Sequence, residues 1–252
     1  MSNYSYSVLV YNINNYEVLH EIPTEFKRDD VEYVYVTDDI NAKSDTWTVV
    51  YEPNLSGGTF DKTYQIRFNP FKYCHSDICV RFDGCMDFAQ DITSIVDQFK
   101  ETNRDICVSV HPARNTMYDE YSAWISVRNY PQAEAEKALI FMEKLGYDIR
   151  NYKGLYQLNF LIERNNKKTE FLNKVTYDIM KYLGDENDIH RIDQTIFSYV
   201  LNVYGKALDL KIMNISAIKV REFFNVYNHG TYKKNYYKAP HIKQYIMNKP
   251  ID

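Results

Sequence analysis

Short apolar runs, most of them closed by polar or acidic residues, alternate with stretches of helical period through most of this chain. Residues 7–11 (Ser-Val-Leu-Val-Tyr) form the first run, and the polar stretch 12–16 after it predicts a loop. Residues 32–37 (Glu-Tyr-Val-Tyr-Val-Thr) predict a second strand, stopped by Asp38-Asp39, and residues 47–51 a third. Ser56-Gly57-Gly58 is a turn, and residues 61–73 read as a helix interrupted or started near Pro70. Residues 78–82 predict the strand before Asp83. A helix is expected over 91–100, with Ile92, Ile95, Val96 and Phe99 on one face, and a strand over 106–110. Helices are expected over 118–127 and 132–145, a strand over 155–163, and helices over 169–183 and 192–204. In the 169–183 helix, Phe171, Val175, Ile179 and Leu183 are spaced to share a face.

Strands alternating with helices predict an α/β layered domain, a mixed central sheet flanked by helices. No Gly-x-Gly-x-x-Gly follows the first strand and no Walker loop is present, so neither a dinucleotide fingerprint nor a P-loop is supported. No apolar run is long enough to span a bilayer, and the first residues carry no basic leader. The expectation is a cytoplasmic protein. Four cysteines, at 74, 79, 85 and 107, fit no zinc ribbon and predict reduced, semi-buried thiols. Most of the 24 tyrosines must be packing residues.

Charge divides the chain. Residues 211–252 hold eight Lys/Arg against two acidic residues, a net of +6; the whole chain is −4, so residues 1–210 carry −10. An acidic body argues against general nucleic-acid binding. The basic, Tyr-rich segment 211–252 is expected to be an extension, either solvated, packed across the acidic body, or meeting an anionic surface such as a membrane from the cytoplasmic side.

Candidate chemistry gathers where predicted strands end, the edge at which open α/β sheets bind ligands. The most informative stretch is Cys79-Val80-Arg81-Phe82-Asp83-Gly84-Cys85-Met86, a strand ending in Asp-Gly. Asp83 there can hold a divalent cation, and the cation a diphosphate; Asp-Gly is also an ordinary turn. Asp38 can accept hydrogen bonds from a base or ribose, whereas Asp39 reads as a cap. Arg67 and Lys72 would neutralise a diphosphate, or be solvated charges. His111-Pro112-Ala113-Arg114 and Tyr118-Asp119-Glu120 offer an imidazole, a cation and carboxylates, or a salt-bridged helix start. In Arg191-Ile192-Asp193-Gln194, Asp193 is a general base or a helix cap. His229, beside Gly230, is a loop histidine able to approach a metal.

Tyr35-Val36-Thr37-Asp38-Asp39, Trp47, Arg67 with Lys72, Phe82-Asp83-Gly84, His111-Pro112 with Arg114, Tyr118-Asp119-Glu120, Gly154-Leu155, Glu163-Arg164 and Asp193-Gln194 occur in an order that resembles one family. It is the GT-A-type glycosyltransferase-like family of bacterial surface-polysaccharide clusters and plant mucilage-related proteins. Tyr11-Asn12 and Asn15-Tyr16 fit its first strand and loop, and the resemblance covers roughly residues 7–205. It implies a GT-A-like, Rossmann-like single domain over 1–210 followed by the basic extension 211–252. It also implies a nucleotide-sugar donor, a hydroxyl acceptor such as a glycan, and Mn²⁺ or Mg²⁺. Tyr11, Asn12, Asp38, Arg67, Lys72 and Asp83 would then meet the donor. Asp83 and His229 would hold the metal, and Asp193, Glu120 and Arg114 would act in catalysis. Asp83 stands at the first position of an Asp-x-Asp motif whose second position is Cys85. Two other readings stay open: transfer to hydroxylated bases of viral DNA, and a catalytically inactive nucleotide-sugar-binding module.

Overall fold

The computed structural model describes residues 3–126, 131–146, 150, 153–187, 189 and 192–227. A seven-stranded sheet runs through its centre in the order β3-β2-β1-β4-β7-β6-β8. The strands are β1 (Tyr6–Asn12), β2 (Val31–Thr37), β3 (Thr48–Tyr51), β4 (Ile78–Phe82), β6 (Ile106–Val110), β7 (Tyr156–Arg164) and β8 (Ile212–Ser216). The helices are α1 (Thr59–Arg67), α2 (Thr93–Glu101), α3 (Met117–Ser126), α4 (Gln132–Lys144), α5 (Lys167–Asn187), α6 (Asp193–Ala207) and α7 (Ala217–Phe223). β5 (Met86–Phe88) and β9 (Phe224–Val226) form a separate antiparallel ribbon. The mixed sheet flanked by helices is the expected α/β layout.

Only β7 runs against its neighbours; β1, β2, β3 and β4 are mutually parallel, as are β6 and β8. The carboxyl ends of six strands therefore share one edge with the start of β7. Strand order reverses between β1 and β4, and such a switch point opens a crevice at that edge.

Both faces of the sheet are covered, which is why its strands read as near-continuous apolar runs. Alternation sends Tyr6, Val8 and Val10 of β1 to one cluster, with Ile95, Val96 and Phe99 of α2 and Phe224 of β9. Leu9 and Tyr11 go to the other side, with Ile66 of α1 and Tyr73. The α3, α4, α5 and α6 helices close another large cluster over β6 and β7.

Several expectations shift. The 61–73 helix breaks in two: α1 ends at Arg67 and a single 3₁₀ turn, Pro70–Lys72, begins at the proline. On α5 the buried residues include Leu172, Thr176, Met180 and Leu183, while Phe171 is exposed. The expected stripe lies beside this face: Val175 and Ile179 are partly buried against the core and Leu183 is inside it. Thr176 can be inside because its hydroxyl donates to the Leu172 carbonyl at 2.8 Å.

The chain after residue 210 adds two strands. Residues 212–216 pair in parallel with Ile106–Val110 as a strand of the central sheet, and β9 closes the ribbon on β5. These short segments join through backbone ladders, which leave little trace in side-chain pattern.

Two buried carboxylates tie the sheet. Arg81 donates to Glu163 at 3.0 Å, both almost fully buried, and Asn173 donates to the second Glu163 oxygen at 3.4 Å. Arg81→Ala should therefore lower stability by about 3–5 kcal/mol, because it strands the Glu163 charge; urea unfolding measures this. Glu32, on β2, accepts from the Ser7 hydroxyl, the His75 backbone N–H and the His75 ring. Burial alone would raise its pKa, but these bonds outweigh it and hold the carboxyl below its ordinary 4.5. That contribution is complete above pH 4.5 and fades as pH falls through the depressed folded value. Glu32→Gln should flatten the stability–pH curve in that acid window without changing its slope at neutral pH, as urea midpoints will show.

Candidate functional site

At the β1/β4 switch point the chain turns sharply after β4. Asp83 N–H donates to the Asn159 carbonyl of β7 at 3.1 Å, and Met86 N–H returns to the Asp83 carbonyl at 2.9 Å. Gly84 sits in this turn because nothing larger fits easily. A Cβ there would come within 3.3 Å of the Glu17 side chain and of the Tyr11 carbonyl. Cys85 turns into the apolar cluster beneath, with Val10 and Phe82.

Arg67, the last residue of α1, reaches this turn and is the hub of the site. Its Nη2 donates to Asp83 Oδ1 at 2.7 Å, its Nε donates to the Tyr11 hydroxyl at 2.5 Å, and its Nη1 donates to Asp193 Oδ2. The residue is 8% exposed. Burial works against its charge, but the Tyr11 oxygen and the carboxylates of Asp83 and Asp193 prevail, and its pKa stands well above the ordinary arginine value. Burial pushes the Tyr11 hydroxyl up to about 12 despite the nearby guanidinium. The carbonyl of Arg67 accepts from buried Arg81, so the backbone at the end of α1 is fixed as well.

Asp193 opens α6 and makes no side-chain cap to that helix, whose N-cap is Ile192. The capping alternative is thus replaced by the bond to Arg67. As an anion in the first turn, Asp193 is also favoured by the helix dipole. Asp193 Oδ1 has no hydrogen-bond partner among the described residues. Next to it, the buried Gln194 Nε2 has no partner there either, nor has Asn159 Oδ1 on the strand facing Asp83. Neither amide was among the sequence candidates. Asp193-Gln194 was noticed only as a pair, and nothing local marks Asn159, which reaches the site through β4–β7 pairing.

The other candidates have settled partners. Asn12 clamps the following loop, donating to the Glu17 carbonyl at 2.5 Å and accepting from Glu17 N–H at 2.9 Å. Asp38, after β2, accepts from Asn14 N–H at 2.8 Å and from Lys62 at 3.1 Å. Asp39 caps the next turn by accepting from Asn41 N–H. Lys72 is not beside Asp83; it pairs with Glu52 after β3 and lies over the Tyr73 ring. The break at Pro70 turns it away from Arg67. Arg114 and Glu120 form a second cluster after β6, with Arg114 Nε 2.7 Å from a fully buried Glu120 oxygen and Arg114 Nη2 2.7 Å from His111 Nε2. His229 lies outside the described residues.

The site thus brings together Tyr11, Arg67, Asp83 and Asp193 from four elements. Among the described residues, no three His, Cys, Asp or Glu side chains gather as a metal cage. The donor set available to a cation is Asp83, with Cys85 facing the core instead of the turn. One carboxylate fits a magnesium- or manganese-type ion that keeps water and is carried largely by substrate phosphates.

No protein-family model matches the chain, and no curated protein matches it. Among solved structures it is similar to the apo crystal structure of mouse xyloside xylosyltransferase 1. The identity is 8%, the match covers 83% of this chain and 84% of that one, and the TM-score is 0.46. A likeness of this degree bears on neither activity nor substrate.

If Arg67 neutralises two carboxylates, Arg67→Met should cost about 3 kcal/mol at neutral pH, since both are left facing each other. Adding Asp193→Asn should restore much of the loss. Urea titration of the single and double variants decides the matter, and equal losses would show that the three groups are not coupled.

Proposed function

We propose that this chain is a glycosyltransferase that moves a sugar from a nucleotide-sugar donor to a hydroxyl acceptor, a glycan being the acceptor class the family resemblance favours. The observation that carries this reading is the Arg67 bridge between Asp83 and Asp193 at the β1/β4 switch point. A ligand at that edge meets two carboxylates held by one buried cation. Carboxylates bind sugar hydroxyls, and Tyr11, Asn12 and Asp38, at the ends of β1 and β2, would meet the nucleoside.

The roles follow from position. Asp193 orients the acceptor hydroxyl and takes its proton at Oδ1, while its other oxygen stays on Arg67. Glu120 is the weaker candidate for this role, because it is fully buried against Arg114. Arg67 holds Asp83 and Asp193 at a fixed separation.

Charge bookkeeping bears on the cation. Lys62, Arg67, Lys72 and Arg114 are already paired with Asp38, Asp83 and Asp193, Glu52, and Glu120. A diphosphate brings further negative charge that these pairs do not meet. Mn²⁺ or Mg²⁺, when bound, would neutralise the departing diphosphate. Asp83 would hold it, with His229 as the second protein ligand.

A thermal-shift panel of nucleoside diphosphates and nucleotide sugars, with and without Mn²⁺, tests the reading. The expected result is stabilisation by one nucleotide that Mn²⁺ increases, and little effect of Mn²⁺ alone. Donor hydrolysis should then fall at least tenfold in Asp193→Asn with donor binding kept, while Asp83→Asn should lose the Mn²⁺ increment. Binding without hydrolysis would identify an inactive sugar-nucleotide module; a flat panel would reject the assignment.

A further inference from the structure

Two thiols lie against each other beneath the Arg67 cluster. Cys74 follows the Pro70–Lys72 turn, its N–H donating to the Pro70 carbonyl at 3.0 Å, and Cys79 is the second residue of β4. Their sulfurs are 3.1 Å apart. An S–S bond is about 2.05 Å, so closure needs a movement of roughly 1 Å. Both residues are free and buried, at 4% and 0% exposure.

The segment between them is pinned. His75 N–H donates to Glu32, Ser76 N–H donates to the Ser7 hydroxyl at 3.2 Å, and the Asp77 carbonyl accepts from Asn165 N–H at 2.8 Å. These bonds fix the backbone segment that joins the two cysteines. Cys85 and Cys107 belong to the cluster on the other face of the sheet.

We propose that Cys74 and Cys79 are a modification site, a dithiol that a small peroxide converts reversibly to a disulfide. Peroxide transfers an oxygen to one sulfur: its O–O bond breaks, a sulfenic acid forms and one water leaves. The second sulfur then attacks the first, forming the S–S bond. Its proton leaves with the sulfenic hydroxyl as a second water. In sum, two thiols lose two electrons to one peroxide, giving a disulfide and two waters.

Burial and proximity decide between outcomes. Burial shields both sulfurs from bulky disulfides and pushes the Cys79 thiol well above its ordinary value, so Cys79 stays protonated and Cys74, the more exposed of the two, is the sulfur that takes the oxygen. A small neutral peroxide is the reagent that can enter. Proximity then favours disulfide over further oxidation, because the resolving sulfur is already in contact. The pair shares its cluster with Tyr11 and Ile66, beside Arg67. Closure would fasten the turn after α1 to β4, and so fix the elements that carry Arg67 and Asp83.

The test treats the folded full chain with hydrogen peroxide, then alkylates it in denaturant and measures intact mass and peptides. The expected product carries two alkyl groups where the untreated chain carries four, and its joined pair has lost two hydrogens, about 2 Da. Cys74 and Cys79 should be joined, Cys85 and Cys107 should alkylate, and a dithiol reductant should restore all four. Oxidised glutathione should leave no adduct. Cys74→Ala should abolish the mass loss. Four alkylatable thiols after peroxide, a stable gain of oxygen at Cys74, or a different pairing would each overturn the proposal. All of these readouts come from the wild-type chain, so a variant that fails to fold does not blunt the test.

Discussion

One buried guanidinium organises the functional edge of this protein. Arg67 stands at the end of a short helix and is met by β1 through Tyr11, by the β4 turn through Asp83 and by α6 through Asp193. The guanidinium alone would be costly to bury, and the two carboxylates meet it from partly exposed positions. Together they are mutually required. A planar fork suits this duty, since its nitrogens point in different directions within one plane, which a lysine cannot copy. The sheet sets the positions: parallel β1 and β4 end side by side, and their divergence opens the crevice.

Much of the fold was legible in the sequence because both faces of the sheet are buried. Residues 31–37 and 78–82 read as strands since every position is apolar or has a buried partner. Less legible were elements whose reason lies in pairing. The three-residue β5 and β9 exist because they bond to each other across 138 residues, and half-exposed β8 because β6 offers a free edge. The α5 face was misplaced because Thr176 satisfies its own hydroxyl, which lets a polar residue take a core position.

The site was legible to a similar depth. Tyr11, Arg67, Asp83 and Asp193 could be nominated one by one from strand and helix ends, and the structure brings them together. Lys72 stands apart from Arg67 because a proline between them changes the direction of the chain. Asn12 and Glu120 have partners whose positions depend on loop geometry and on burial, neither of which short motifs record. Asn159 could not be nominated at all, since its place opposite Asp83 follows from an antiparallel register.

The β5–β9 ribbon bears on the timing of synthesis. The turn that presents Asp83 is closed from outside by Tyr227: its N–H binds the Cys85 carbonyl and its hydroxyl binds Asp87 at 2.7 Å. On a ribosome the Asp83 segment therefore emerges long before its closing strand, and β6 waits similarly for β8. Contacts so distant in sequence form slowly and late. The nascent chain can assemble much of its sheet early, yet the edge that would bind a ligand is completed only when nearly the last described residue has left the tunnel.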